Sequence, residues 1–309
     1  MSPAGRQTFT RPPPPLSVTI SFTVATSPDE SPVRLDYYIL NKSTNGIWNY
    51  SNSSTTPITI PTITEDTVLR ARVIDQAVNS SAIIEEIYYI NTTPGADLLA
   101  RWTLDNLAGG IWSDDSGNGY DGANRNATPV SDGVRGNVAS FTSASSADIE
   151  IAHDPVFDLT QDYTLCGWYW MDSALNPDAT IFSKMDNAGV NKNWWIYADS
   201  FGFLTWTRTN AGVDSPLSYA IDHRDSSWHH FAAVSTSTVH ILYIDGLQRA
   251  TVANTATDIP ADKLYIGSRI VASGNNNYWD GKLDDLRIYN RGLSHVEIYE
   301  IFYGTDSSW

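Results

Sequence analysis

One stretch near the end of the chain, residues 278–299, constrains the fold more than any other part of the sequence. Asp280-Gly281 predicts a turn, because glycine takes a positive φ at no steric cost. The alternation from Leu283 to Tyr289 predicts a β-strand. Ser294, followed three residues later by Glu297, has the spacing of a capping box and predicts a short helix. We therefore expect the chain to close on a turn, a strand and a capped helix.

Asp284 does not suit its predicted place in this strand. It shares the parity of Leu286 and Ile288, which predicts that all three side chains point inward. A buried carboxylate is costly unless a metal, a cation or several N–H groups satisfy it. Asp285 has the opposite parity, which predicts that it pairs with Arg287 in water. The sequence therefore requires a partner for Asp284.

The block from Gly281 to Glu297 resembles the closing motif of laminin-G-like jelly rolls, the concanavalin-type sandwich. That motif has a turn glycine, an apolar residue, Asp-Asp, an apolar-Arg-apolar-Tyr strand and a Leu-Ser…Glu helix, and every element is present. The resemblance extends over residues 96–309, and further matching segments are Leu98–Asp105, Asp114–Gly122, Trp228–Val234 and His240–Gly246. It implies a jelly-roll sandwich with one short C-terminal helix.

The remaining sequence predicts a second, smaller all-β domain. Residues 1–16 form a proline-rich arm, because four consecutive prolines favour an extended conformation and cannot join a sheet centre. Residues 17–95 contain short alternating segments separated by Pro, Asn, Gly and Ser, which predict an Ig-like β-sandwich. Part of this region resembles the C-terminal β-sandwich domain of chitobiases, which implies a non-catalytic spacer. The predicted fold class is therefore all-β throughout, with the jelly roll over residues 96–309.

Composition excludes several classes of function. The 309 residues carry a net charge of −16, which disfavours nucleic acid and anionic membranes as partners. No run of 18 apolar residues predicts a membrane span, and no signal peptide is visible. The single cysteine, Cys166, allows no internal disulfide and is expected to be a small buried residue. We expect an extracellular location or the surface of a virus particle.

The resemblance implies a structural calcium ion with Asp284 as a ligand. Calcium takes oxygen ligands, and the turn from Asp114 to Gly119 offers a second carboxylate and exposed carbonyls. The predicted ligands are Asp284, Asp115 and Asn118. The alternative is that Asp284 accepts backbone N–H groups of that turn without a metal. Either arrangement would tie the two ends of the jelly roll together.

No motif for catalysis emerges. Asp148 and Glu150 lie on one strand face, but the laminarinase-type signature requires a third carboxylate that this sequence lacks, which favours a solvated face. His229 and His230 are adjacent in a strand and point to opposite faces, so the two cannot bind one ion. We therefore expect a protein that is not an enzyme.

Sugar binding is the remaining candidate, because aromatic rings support the apolar faces of sugars while polar side chains bind hydroxyl groups. The alternative is that the tryptophans form the core, as is expected of Trp168. Trp194 and Trp195 have opposite parity, which predicts that one of them faces outward. The predicted glycan rim is Trp194, Arg208, Asn276, Tyr278 and Trp279.

Two functional interpretations follow. The first is a non-catalytic binding or display protein that binds carbohydrate, or mediates adhesion, through the jelly roll. The alternative is a structural virion component, such as a capsid decoration or tail-fibre protein, anchored by residues 1–16. The expected partners are glycans or a particle or cell-surface assembly, with a homo-oligomer as one arrangement, and without nucleic acid or membrane insertion.

Overall fold

The structure is a computed structural model that describes residues 97–160, 162–173, 176–254, 259–274 and 276–304, and the backbone of six earlier strands. The chain divides into two compact units, Met1–Pro94 with Ser294–Trp309, and Gly95–Leu293. Most of the predicted arm, residues 1–15, lies outside the described residues. The domain boundaries predicted from the sequence stay predictions.

The six earlier strands pair antiparallel in two groups. Their order is β3-β2-β5-β6 in one sheet, while β1 pairs with β4. The strands are β1 (Leu16–Ile20), β2 (Arg34–Leu40), β3 (Ile47–Ser51), β4 (Ile58–Ile63), β5 (Thr67–Ile74) and β6 (Ile84–Tyr88). The Ig-like arrangement of this region stays a prediction.

The unit Gly95–Leu293 contains, among its described residues, nineteen strands and two short 3₁₀ helices, Ser143–Ser145 and Pro155–Phe157. The strands are β7 (Leu98–Trp102), β8 (Leu107–Ala108), β9 (Ile111–Trp112), β10 (Gly122–Arg125), β11 (Thr128–Asp132), β12 (Gly136–Phe141), β13 (Asp148–Ile151), β14 (Tyr163–Met171), β15 (Ala179–Met185), β16 (Lys192–Ala198), β17 (Leu204–Asn210), β18 (Val213–Ser218), β19 (Trp228–Ser235), β20 (Val239–Ile244), β21 (Leu247–Ala253), β22 (Leu264–Ile266), β23 (Ser268–Arg269), β24 (Asn277–Tyr278) and β25 (Gly281–Tyr289).

These strands build two large sheets around one core. The first sheet has the order β18-β17-β16-β15-β22-β13-β10-β9-β8. The second has the order β11-β12-β25-β14-β19-β20-β21, with β7 also paired to β25. Both sheets contribute aromatic residues to the buried cluster between them, and Trp102 of the second sheet meets Phe182 of the first edge-to-face at 6.0 Å. The predicted all-β sandwich with a jelly-roll architecture is confirmed.

The closing strand β25 contains a bulge that the sequence pattern did not predict. Asp285 has φ 47°, and the register of β25 against β14 shifts opposite Gly167. A Cβ atom at Gly167 would lie 2.4 Å from Cδ2 of Leu286, so only glycine allows the two strands this close.

The bulge reverses the predicted direction of Asp284. Leu283 and Leu286 both belong to the core although they are three residues apart, and Ile288 follows on the same side. Asp284 therefore points to the outer face of the sheet, and its predicted inward orientation is wrong. Asp285 pairs with Arg287 at 2.6 Å as predicted, but the Arg287 side chain is only 3% exposed, so the pair lies largely out of water.

The predicted C-terminal helix is confirmed as α1 (His295–Tyr303). The hydroxyl of Ser294 accepts the backbone N–H of Glu297, whose side chain in turn accepts the N–H of Ser294. Gly304 ends the helix with φ 64°. Within the part of the chain that the structure describes, we find no helix with the length and apolar character needed to cross a membrane.

Candidate functional site

The predicted glycan rim is wrong at three of its five residues. Trp194 and Trp279 are fully buried in the core, and Arg208 is 4% exposed. Trp194 and Arg208 lie in β16 and β17, Trp279 lies in the turn between β24 and β25, and all three side chains are out of reach of a saccharide. Asn276 and Tyr278 are partly exposed, but Asn276 uses its carbonyl oxygen to accept the N–H of Val271 within the same loop.

The opposite orientations of Trp194 and Trp195 are confirmed, but the outward one is not exposed. Trp195 lies on the outer face of the first sheet and is 5% exposed. The ring of Tyr197 stacks on it at 3.8 Å, and the guanidinium of Arg269 covers it at 4.8 Å. Trp195 is therefore the centre of a small secondary core that includes Met185.

The three predicted calcium ligands have separate protein partners. Asp115 accepts the hydroxyl of Thr103 at 2.7 Å, and Asn118 donates to the carbonyl oxygen of Leu99 at 3.0 Å. Asp284 accepts a hydrogen bond from Arg135 instead. Among the described residues, no group of three or more His, Cys, Asp or Glu side chains is arranged to hold a metal ion. This geometry does not fit a calcium ion shared by the three residues.

Asp114, which was not among the predicted ligands, organises the predicted turn. Its carboxylate accepts the backbone N–H groups of Arg101, Ser116 and Tyr120 at 2.9–3.0 Å. It also accepts the hydroxyl of Ser116 at 2.8 Å. The turn is thus attached to β7 by hydrogen bonds within the protein.

Three tryptophans lie together on the outer face of the second sheet. Leu165, Tyr169 and Met171 of β14 face the core, so Trp168 and Trp170, which alternate with them, face outward. Both are partly exposed, as is Trp228 at the start of β19. The prediction that Trp168 belongs to the core is wrong, because it takes the opposite parity from the core residues of its strand. We call Trp168, Trp170, Trp228, Arg135 and Lys282 the tryptophan surface.

Strand register brings these residues side by side. Trp170 faces Trp228 across one strand pair and Lys282 across the other. Neighbouring strands are about 4.8 Å apart, so this row of three side chains spans roughly 10 Å. Trp168 faces Asp284 in the next row. The row is long enough to contact more than one ring of an extended ligand.

Both cations of the tryptophan surface lie over indole rings. The Arg135 guanidinium is 4.0 Å from the centroid of Trp168 and 5.7 Å from that of Trp228. The Lys282 Nζ atom is 5.1 Å from the centroid of Trp170. All three distances are within the range of about 6 Å for a cation–π interaction. The cations and the indoles therefore hold one another in fixed positions.

Two largely buried carboxylates bind these cations: Asp132 binds Lys282, and Asp284 binds Arg135. Asp132 accepts Lys282 Nζ at 2.7 Å, the indole N–H of Trp228 at 3.1 Å and the backbone N–H of Val134 at 2.9 Å. Burial alone would raise the pKa of Asp132, but these hydrogen bonds outweigh it and hold the pKa well below its ordinary value.

Asp284 pairs with Arg135 at 2.5 Å. Burial raises the pKa of Asp284 to about 7, although the charge and hydrogen bond of Arg135 act in the opposite direction. Asp285 and Asp105 add to the rise through their negative charges. The ion pair between Asp284 and Arg135 therefore depends on pH near neutrality.

The carboxylates considered for catalysis are held by cations. Asp148 is 1% exposed and accepts two hydrogen bonds from the guanidinium of Arg125 and one from Ser268. Glu150 lies 3.2 Å from the same guanidinium and pairs with Lys263. The predicted solvated face is therefore wrong for Asp148, and both carboxylates act as ion-pair partners.

The two adjacent histidines have different surroundings, in accordance with their opposite parity. His230 is fully buried, and burial lowers its pKa to about 3. His229 is partly exposed and binds Asp245 at 2.8 Å and Asp225 at 3.2 Å. The ring of His223 stacks on His229 at 4.6 Å. Cys166 is buried, as predicted.

Comparison with solved structures finds jelly-roll domains of similar fold. Domain 4 of AbnA, a GH43 extracellular arabinanase from Geobacillus stearothermophilus in complex with arabinotriose, aligns with a TM-score of 0.53 and 17% identity over 66% of this chain and 98% of that domain. The binding domain of Paraclostridial Mosquitocidal Protein 1 aligns with a TM-score of 0.56 and 16% identity, over 69% of this chain and 53% of that one.

A third similar structure is the binding domain of Botulinum Neurotoxin DC in complex with SialylT, with a TM-score of 0.53 and 15% identity over 69% of this chain and 52% of that one. The chain thus spans about half the length of these toxin binding domains. At these identities the likeness shows the fold alone. No curated protein sequence matches this chain.

The sequence itself carries the family relationship. A model described as the concanavalin A-like lectin/glucanases superfamily, of the laminin G type, matches residues 143–299, just over half of the chain. The matched region begins at the first 3₁₀ helix and contains the tryptophans of the outer face. The two-sheet jelly roll agrees with this match, and the chain belongs to the concanavalin A-like lectin/glucanases superfamily.

Proposed function

We propose that this protein is a non-catalytic carbohydrate-binding protein and that the tryptophan surface is its binding site. The observation that carries the proposal is the row formed by Trp170, Trp228 and Lys282 on an outer sheet face, with the indoles partly open to solvent. Aromatic rings bind the apolar faces of sugar rings, and neighbouring polar groups bind the hydroxyls. A rigid sheet holds this row in place before a ligand arrives, which lowers the entropic cost of binding.

Hydrogen-bond donors remain available beside the rings. Arg135 donates through Nε to Asp284, and its terminal N–H groups donate to no acceptor among the described residues. The indole N–H of Trp170 likewise has no acceptor within the part of the chain that the structure describes. Lys282 has three donors, of which one binds Asp132. These groups can donate to sugar hydroxyl or ring oxygens without breaking a bond within the protein.

The similar folds support a binding role. One structure is a complex with arabinotriose, another a complex with SialylT, and a further Botulinum neurotoxin DC binding domain was solved with rat synaptotagmin II. Ligands of these proteins are therefore saccharides in two cases and a protein in one. The open indoles favour a saccharide for this chain.

A glycan array with matched variants tests the proposal. We expect the full chain to bind one class of saccharide, and Trp170→Ala to weaken that binding at least about tenfold, as expected for loss of a stacking ring. Phe201→Ala is the control, because Phe201 is a 65% exposed aromatic residue outside the tryptophan surface. If no glycan binds, or if Phe201→Ala weakens binding as much as Trp170→Ala, the proposal is wrong.

The role as a virion component stays a prediction. It depends on the proline-rich arm, and residues 1–15 lie outside the described residues. Deleting residues 1–16 and measuring attachment to a particle would test it without disturbing the tryptophan surface.

A further inference from the structure

The charged groups at the tryptophan surface are arranged in two layers. The side chains of Arg135 and Lys282 are 19% and 30% exposed, whereas those of their partners Asp284 and Asp132 are 7% and 8% exposed. The cations therefore lie nearer to solvent and the carboxylates lie beneath them. A ligand that approaches this face meets positive charge first, although each carboxylate, when ionised, balances the charge of its cation.

The exposed cations of the tryptophan surface are opposite in sign to the net charge of the protein. The chain has 35 acidic residues and only 19 Lys and Arg, for a net charge of −16. Such a chain repels anions at long range, so an anionic ligand needs local cations to bind. Two cations over neighbouring indoles provide them on the face where we place the binding site.

The geometry of the two cations suits a carboxylate on a ring. Lys282 and Asp284 are two residues apart on β25, so Lys282 and the Asp284–Arg135 pair are separated by about 7 Å along the strand. The terminal N–H groups of Arg135 form a planar fork, which binds carboxylates through two parallel hydrogen bonds. A carboxylate bound at this fork would leave its sugar ring beside the indoles of Trp170 and Trp228, because the guanidinium itself covers Trp168 at 4.0 Å.

We infer that the ligand of the tryptophan surface is a saccharide that carries a carboxylate, which Arg135 binds through its terminal N–H groups while Lys282 adds a second positive charge. This inference rests on the proposed function and specifies its ligand class. Asp284 contributes by accepting a hydrogen bond from Nε of Arg135, which leaves the terminal N–H groups of the guanidinium for the ligand. The indoles supply stacking, and the two cations supply the preference for an acidic over a neutral sugar.

Matched acidic and neutral saccharides provide the test, with titration calorimetry on the full chain. The probes are oligogalacturonate and sialyllactose, the methyl esters of both, and a κ-carrageenan oligosaccharide, which carries sulfate but no carboxylate. We expect at least one acid to bind about tenfold more tightly than its own ester, the ester to retain weak binding, and the preference to diminish as salt is added.

Variants assign the preference to residues. Arg135→Gln and, separately, Lys282→Gln should reduce the preference for the acid over the ester, while Arg249→Gln should leave it unchanged. Arg249 is a suitable control because it also lies over an aromatic ring, 5.0 Å from the centroid of Tyr219. The double variant Arg135→Gln, Asp284→Asn avoids an unpaired buried carboxylate if the single variant fails to fold.

The outcomes separate the two proposals. If acid and ester bind equally and Trp170→Ala still weakens binding about tenfold, the carboxylate inference is wrong and the carbohydrate-binding proposal stands. If the sulfated saccharide binds more tightly than either acid, the carboxylate assignment is wrong. If none of the probes and no glycan on the array binds, both proposals are wrong.

Discussion

The two outer faces of the sandwich carry the same kinds of residue and use them differently. On the first sheet, Arg269 lies 4.8 Å from the ring of Trp195. On the second, Arg135 lies 4.0 Å from the ring of Trp168. Trp195 is 5% exposed beneath Tyr197, whereas Trp168 remains partly open to solvent. An arginine over a tryptophan therefore does not by itself indicate a binding site. The indole is available to a ligand only if other side chains leave part of its ring exposed to solvent.

The largest expected difference between the two faces is in stability. Trp195→Ala should destabilise the protein by about 3–5 kcal/mol, because it leaves a cavity where a buried indole stood. Trp170→Ala should cost roughly 1 kcal/mol or less, since its ring is partly solvated in the folded state. Urea unfolding of both variants measures the difference. Equal losses of stability would mean that the two faces are alike, and that the tryptophan surface is structural.

The carboxylates beside the two arginines provide a second contrast, in pH dependence. Burial raises the pKa of Asp284 to about 7, so the folded protein holds this proton more tightly than the unfolded chain does. As pH rises from about 4 to about 7, the wild type should lose stability relative to Asp284→Asn, by on the order of 2–4 kcal/mol. Urea unfolding at the two ends of this range measures the change.

Asp178 is the matched control, because it interacts with Arg269 on the other face and burial raises its pKa as well. It is partly exposed, so Asp178→Asn should show a smaller dependence on pH. If the wild type instead gains stability over Asp284→Asn as pH rises, the ion pair with Arg135 outweighs the cost of burial.

A third contrast concerns saccharide affinity. Trp170→Ala should weaken binding about tenfold or more, equivalent to roughly 1.4 kcal/mol, because a stacking ring is lost. Tyr197→Ala removes an aromatic residue from the other face and should leave the affinity unchanged, provided that the variant folds. Calorimetric titration of both variants measures the ratio. A larger loss for Tyr197→Ala would place the binding site on the first sheet.

The smallest expected effect is that of a chelator. Asp284 is satisfied by Arg135, and Asp115 and Asn118 bind groups of the protein. Addition of EDTA should therefore leave the melting temperature unchanged. If EDTA lowers the melting temperature and added calcium reverses the change, the result would support the predicted calcium site.

Local chemistry made the closing segment predictable. The capping box of Ser294 and Glu297 depends on residues three apart, and the alternation of β25 is a pattern within one strand. The orientation of Asp284 was not predictable in this way. It depends on a bulge where Gly167, more than a hundred residues earlier, lies against Leu286.

The tryptophan surface was predictable in part. The alternation of β14 places Trp168 and Trp170 on one face of the strand and Leu165 and Tyr169 on the other, and this alternation is visible in the sequence. The alternation alone does not reveal which of the two faces meets the core. Even in the structure, Cys166 on the outward face is as buried as the core residues. Trp228 joins the row only through the register of β19, which no local pattern reveals.

NMR of the indole N–H groups during a saccharide titration tests the central claim most directly. The chain has 11 tryptophans, and each indole N–H gives its own signal. We predict that a bound saccharide, from the array or from the acidic probes, shifts the signals of Trp168, Trp170 and Trp228 and leaves those of Trp194 and Trp195 in place. Shifts at Trp195 without shifts at Trp170 would contradict the account.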